Sequence, residues 1–334
     1  MKHLAKFLIP LFTSMVLATY GGNAGATDVS PSQSAASSAQ QSGGTGNASS
    51  AGSLVEVAQQ QGFNALLAAA TKANLAAALS DPNSHLTVFA PTDAAFNQLA
   101  IGLGFADANA MVNALPASTL QSILLYHVLP AAKSSAILTT NGPLQATQYR
   151  RAGCAVSLAL DSSHGIKLTD AARTVANVTT ADVAASNGVI HVIDKVLVPP
   201  GVLTVVQMAQ ANPDLTALAK AVTAASLQNV LNGTGPFTVF APTNAAFAKA
   251  PSGLSDAQLT TVLKYHVLGS EVRAADIPFG TPVSTLAQQS IQFGKDSAIT
   301  VKDTTGTAAK IVTTDLEASN GVIHVIDKVL IPEL

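Results

Sequence analysis

The chain has 334 residues, of which 17 are basic and 19 acidic, and charged residues make up only 11% of it while 48% are apolar. It has no cluster of Lys and Arg to neutralise phosphates, which excludes the counterion-release term behind most nucleic-acid affinity and the attraction to anionic membranes. Its single cysteine excludes an internal disulfide framework, so the folded parts depend on apolar cores.

Lys2 and Lys6 precede an apolar stretch from Phe7 to Ala18, and small residues follow at Ala24-Gly25-Ala26. This order predicts a secretory signal peptide over 1–26, cut after Ala26, and a secreted or periplasmic protein. The stretch is shorter than the roughly 20 residues of a membrane-spanning helix, so no membrane insertion is expected once the signal is gone. Without Lys2 and Lys6, 15 basic residues face 19 acidic ones and the net charge is −4. Residues 27–52 are nearly all Ser, Ala, Gly, Gln and Asn, too polar and small to offset their ordering entropy, and read as a flexible leader serving as a spacer or a tolerated tail.

Leu54, Val57, Ala58, Phe63, Leu66, Leu67, Ala70, Leu75, Ala78 and Leu79 recur at helical spacing and predict two or three short helices. Leu86 to Ala90 is a β run ending at Pro91, after which Thr92 or Asp93 can cap a helix carrying Ala95, Phe96 and Leu99. Ser118 with Gln121 predicts a capping box for a further helix whose inward stripe is Leu120, Ile123, Leu124, His127 and Val128. Alternating segments around Ile166–Thr169 and Val175–Val178 follow, then an Asn-Gly turn and a closing strand. Cys154 sits among Ala155, Val156 and Leu158, which favours a buried thiol and leaves a disulfide to a partner chain open.

Three landmarks recur in order. Leu86–Phe96 matches Phe237–Phe247, Tyr126-His127-Val128-Leu129 matches Tyr265-His266-Val267-Leu268, and Ala185–Leu197 recurs unchanged as Ala318–Leu330. The offset between copies shrinks from 151 to 139 to 133 residues, which places 12 extra residues of the first copy near Ile101–Leu115 and 6 near Thr139–Arg151, in what read as connecting loops. The copies span 53–199 and 200–334, joined by Pro199-Pro200-Gly201, a stiff pair that should limit reorientation. In the second copy Thr243 or Asn244 takes the capping position, and Ser255 with Gln258 forms the second capping box.

The run FAPTDAAF, then YHV after a helix, then NGVIHVIDKVL, each found twice, resembles the fasciclin domain family, known in cell-adhesion and matrix proteins. The resemblance implies an α+β chain of two tandem domains, each a β-sandwich wrapped by short helices. It also implies a non-enzymatic role in adhesion or matrix binding, without cofactors. The chain has no Arg-Gly-Asp, and Asp276-Ile277 is too short a match to assign an integrin partner. The expected partner is a protein or a cell-surface polymer, with weak homo-oligomers allowed.

Asp93 and His127 could form the acid and imidazole of a hydrolase, but the second copy answers with Asn244 and His266. An amide can cap and hydrogen-bond but cannot hold charge, so a structural brace is the preferred reading. His191 and Asp194, repeated as His324 and Asp327, fall on opposite faces of a strand and read as satisfied polar groups at a sheet edge or under a loop. No metal-ligand spacing, phosphate-binding loop or nucleophile elbow is present in the sequence. The second functional reading follows from the resemblance, since a few fasciclin-like proteins bind pigments or lipids: a carrier of an apolar small molecule held in a groove beside the Ala-rich first helices; a hydrolase is the third.

Overall fold

Ser53 accepts a hydrogen bond from the backbone N–H of Glu56 while the Glu56 carboxylate accepts from the Ser53 N–H, and this capping box starts the first helix where the apolar spacing begins. The computed structural model describes residues 52–251, 253–295 and 297–334, so the expected signal peptide and all of the leader but Gly52 lie outside the described residues. The first copy runs α1 (Leu54–Gln60), α2 (Asn64–Lys72), α3 (Ala76–Ser80), β1 (Leu86–Pro91), α4 (Asp93–Gly102), α5 (Ala108–Ala114) and α6 (Ala117–Tyr126). It continues with β2 (Val128–Leu129), α7 (Ser135–Thr140), β3 (Leu144–Arg151), β4 (Cys154–Asp161), β5 (Lys167–Thr169), β6 (Val175–Ala185) and β7 (Gly188–Ile193). The second copy has α8 (Val205–Ala211), α9 (Thr216–Ala224), α10 (Gln228–Leu231), β8 (Phe237–Pro242), α11 (Asn244–Phe247) and α12 (Asp256–Tyr265). Its remaining strands are β9 (Val267–Leu268), β10 (Pro282–Ser284), β11 (Ser290–Lys295), β12 (Ile299–Lys302), β13 (Ala308–Ala318) and β14 (Gly321–Ile326). Among the described residues no helix is long and apolar enough to cross a membrane.

Each copy forms a seven-stranded mixed sheet, ordered β2-β1-β7-β6-β5-β4-β3 in the first and β10-β11-β12-β13-β14-β8-β9 in the second. The one parallel pairing in each, β1 with β7 and β8 with β14, joins the first and third sequence landmarks side by side. Register shifts between Val178 and Val183 bend β6, and there Asp182 takes a left-handed φ of 58°. The bend folds the sheet over itself. Phe89 of β1, Leu129 of β2, Tyr149 of β3, Leu158 of β4 and Leu168 of β5 then share one buried core, which makes the α+β sandwich. Phe240, Leu268, Phe293 and Val301 repeat that core in the second copy.

A separate apolar core lies between the sheets and the helices, and it is continuous from Leu54 and Met111 of the first copy to Leu203, Val205 and Leu316 of the second. The proline join is held as well: Tyr149 donates from Oη to the Pro200 carbonyl at 3.1 Å, and the Gly201 N–H donates to the Glu317 carbonyl at 2.9 Å. Arg151 pairs with the Glu317 carboxylate across the join, and Asn212 Nδ2 donates to the Ala172 carbonyl at 2.8 Å. The ion pair is partly exposed and contributes about 0–1 kcal/mol, so the apolar core is the main bond between the copies.

Five sequence expectations change here, the first being that the 6 extra residues near Thr139–Arg151 lie in a loop: most of that segment is β3, 8 residues long against the 3 of β10. The 12 extra residues of the first copy are not a loop but α5, capped by Asp107 and burying Ala108, Met111 and Val112 at helical spacing. Lys72 Nζ donates to the carbonyls of Val112 and Asn113, where a cation suits the end of a helix. Ser118 and Gln121 form no capping box, because α6 starts after Pro116 and places Ser118 inside the helix, whereas Ser255 and Gln258 do form theirs. The turn into β7 is Ser186-Asn187 rather than Asn-Gly, since Ala185 pairs with Gly188. A Cβ on Gly188 would run into the Leu86 carbonyl of β1, so close strand approach, not the turn, requires the glycine. Cys154 is exposed: it shares the phase of Leu158 and Leu160 but lies at the hairpin end, beyond the core.

Candidate functional site

Thr92 caps α4 by accepting from the Ala95 N–H at 3.2 Å, and Thr243 does the same for α11 from Ala246 at 3.1 Å. Asp93 turns away from His127. Its carboxylate accepts from the Ala65 N–H at 2.9 Å and from Asn64 Nδ2 at 3.1 Å, so it caps α2 from outside. Asn244 makes the same contact with the Ala217 N–H at 2.8 Å and adds a bond from Nδ2 to the Pro213 carbonyl. An acid and an amide can both do this work because only an acceptor oxygen is needed. Asp93→Asn is therefore expected to keep stability within about 0.5 kcal/mol, while Asp93→Ala should cost about 1 kcal/mol in urea denaturation. A larger loss in the Asn variant than in the Ala variant would show that charge, not capping, is what Asp93 supplies.

His127 is the C-cap of α6 and is fully buried. Its Nδ1–H donates to the Ile123 carbonyl at 2.8 Å, and its Nε2 accepts from the Leu197 N–H at 2.8 Å. His266 repeats both bonds, to Val262 at 2.7 Å and from Leu330 at 2.9 Å. Each ring thus ties the second landmark to the third in its neutral form, and burial lowers both from the ordinary 6.5 to about 4. The preceding tyrosines are core groups. Tyr126 packs edge-on against Tyr149, and burial raises its phenol well above the usual range. Tyr265 donates to the Ser290 carbonyl at 2.8 Å and is pushed up to about 12, chiefly by burial.

His191 lies in the sheet interior with the opposite tautomer, Nδ1 accepting from the Asp182 N–H at 3.3 Å and Nε2–H donating to the Lys133 carbonyl at 2.9 Å. His324 does the same with Asp315 and Val272, and burial lowers its pKa. These bonds hold the loop that follows the second landmark, placing both histidines under a loop rather than at an edge. Asp194 and Asp327 stand just past the strand ends, accepting from the N–H groups of Asn177 and Lys310 at 2.7 Å each. The structure does not bring Asp93 to His127, nor His191 to Asp194, into a shared reactive centre.

Four pairs of polar residues have roles that the motifs alone do not reveal. Thr87 and Thr238 bind the same loop as His191 and His324. Asp182 accepts from the Ser135 N–H at 2.7 Å, and Asp315 from Ala274 at 3.0 Å. Asn187 is wholly buried, its Oδ1 accepting from the Leu54 N–H at 2.8 Å and its Nδ2 serving the carbonyls of Leu79 and Asp81 and the Ser84 hydroxyl. Asn320 binds Val205, Leu231 and Gly233 in the same way. Asp170 accepts from Thr174 and Val198, and burial raises it to about 6 despite those bonds; Asp303 accepts from Thr305, Thr307 and Ile331. All eight recur at the offsets of the landmarks, so aligning the two copies on their polar positions would have found them. Among the described residues no group of three or more His, Cys, Asp or Glu side chains could hold a metal ion.

A cavity of about 300 Å³ lies in the first copy between α1, α2, α3, β1 and α6. Its walls are almost wholly aliphatic, including Leu54, Ala58, Leu66, Ala70 and Leu124, with Ser84, Gln148 and His127 as the polar residues. The equivalent space in the second copy, between Val205, Ala209, Leu218, Val222, Leu231 and Val239, is about 20 Å³.

The fasciclin domain family model matches residues 61–199 and 213–332. The protein sll1483 of Synechocystis is 39% identical over 141 residues, covering 40% of this chain and 75% of that protein. Human periostin is 36% identical over 156 residues, covering 45% of this chain and 18% of periostin. A solved fasciclin domain pair from the insect cell adhesion molecule Fasciclin I is 20% identical and covers 82% of this chain and 94% of that one, with a TM-score of 0.39.

Proposed function

The chain belongs to the fasciclin domain family, and from that membership we propose that it is an exported, non-enzymatic adhesion or matrix-binding protein. The observation that carries the proposal is the continuous apolar core between the copies. It fixes two similar but non-identical bodies at one spacing, so two weak contacts with a protein or surface polymer can act together. The polar motif residues support the reading because each is engaged in holding its own copy together. The charged fraction of 11% leaves contact to Ser, Thr, Asn and Gln surfaces and to scattered apolar side chains such as Ile101 and Leu144. Export rests on the signal peptide read over 1–26.

Beads carrying the full mature chain test the proposal under flow against surfaces coated with extracellular polymer and with the chain itself. Saturable retention that rises steeply with bead loading is expected. Retention no greater than that of bare beads on every surface would sink the adhesion reading.

A further inference from the structure

We infer that the first copy, and not the second, holds a small-molecule site for a single unbranched acyl chain of about ten carbons, bound in the cavity beside α1, α2 and α3. The volume sets the size. About 300 Å³ divided by the ~30 Å³ that a methylene-sized group occupies in a liquid gives about ten such groups. The walls set the chemistry, since no carboxylate or ammonium group lines the space. His127, the one titratable side chain there, is neutral and has both ring nitrogens engaged. An aliphatic guest is favoured, and a charge inside the cavity would be buried without a partner, which leaves a carboxyl head only the half-exposed mouth.

The comparison between copies shows that the fold does not need the void. Ala70 of α2 corresponds to Val222 of α9, which lines the smaller space, and Leu86 of β1 to Phe237 of β8, which packs against the same core, and the space shrinks from about 300 to about 20 Å³. Small-to-large exchange of side chains fills one copy, while the other keeps the room and exposes apolar wall to it. Polarity at the lining sets the orientation of the guest. Ser84 is already bonded to Asp81 and Asn187, but the half-exposed Gln148 amide makes no hydrogen bond among the described residues and is free to meet a carboxyl head. The inference does not depend on the adhesive role, since a bound chain and an outer contact surface occupy different parts of the molecule.

Isothermal titration of the full mature chain with saturated fatty acids from about six to about fourteen carbons tests it. Affinity should rise about fourfold per methylene and level off near about ten carbons, with one site per chain. The double variant Ala70→Val with Leu86→Phe, which gives the first copy the side chains of the second, should lose at least about tenfold in affinity at an unchanged thermal midpoint. Absence of saturable binding, a rise that continues with length as on an open apolar surface, or a folded double variant that binds like the parent would each overturn the assignment. The chain-length series on the parent decides the matter even if the double variant does not fold.

Discussion

Replacing Asn187 by Ala should lower stability by about 3 kcal/mol and the thermal midpoint by about 8 °C, a large effect for a side chain at a turn. Asn187 is buried completely and satisfies groups on three segments: the first N–H of α1, the carbonyls of Leu79 and Asp81 at the end of α3, and Ser84 before β1. Alanine would leave the Leu54 N–H and the Leu79 carbonyl without partners where water has little access, at about 1–3 kcal/mol for each stranded group. Aspartate would not rescue the position, because it could accept from Leu54 but would turn a second acceptor, and a charge, toward the three oxygens that Nδ2 now serves. Asn320→Ala should match it, given the equivalent bonds to Val205, Leu231 and Gly233. Urea denaturation of the two variants settles the point, and losses below about 0.5 kcal/mol would mean that the turns, not the amides, organise the helix layer.

Acidification from pH 7 to pH 5 should cost about 2 kcal/mol of folding free energy. His127 and His266 are held neutral, with folded pKa values near 4 against 6.5 in the open chain. The unfolded chain therefore binds protons first, and stability present above 6.5 is lost as pH falls toward 4, by about 2 kcal/mol per ring at pH 5. Asp170 opposes this. Its pKa is raised from 3.8 to about 6, so the folded chain takes up the proton first and gains about 1 kcal/mol over the same interval. Asp170→Asn removes that gain and should steepen the fall. Urea midpoints at the two pH values provide the check; a parent protein that keeps or gains stability at pH 5 would mean that the two rings are not neutral anchors.

Much of the architecture is legible in the residues because burial imposes a period. Leu120, Ile123 and Leu124 announce α6, and Leu86 to Ala90 announces β1, since a helix and a strand each need an apolar face at their own spacing. Patterns that depend on register read less well. A Ser followed three residues later by Gln occurs at 118 and at 255, but only the second stands at a helix start, because Pro116 and the inward phase of Leu120 begin α6 earlier. The extra residues near Ile101–Leu115 are visible as a difference in length, yet their identity as α5 rests on Met111 and Val112 finding α2 and α4 to pack against. Roles reached by long-range bonds were hidden for the same reason. Nothing local to Asp93 points to α2, and nothing local to Asn187 points to Leu54, 133 residues away. The cavity is a matter of side-chain volume in three dimensions, where Ala70 against Val222 decides between room and none.

The polar landmarks thus hold the fold, and the proposed adhesive role is left to the outer surface of the joined copies. The most direct test compares bead retention and ester hydrolysis for the parent chain and for Asp93→Asn, a substitution that copies what the second domain already carries at Asn244. The account predicts equal retention and equally negligible hydrolysis for the two proteins. Hydrolysis by the parent that the variant abolishes, with its fold intact, would contradict it.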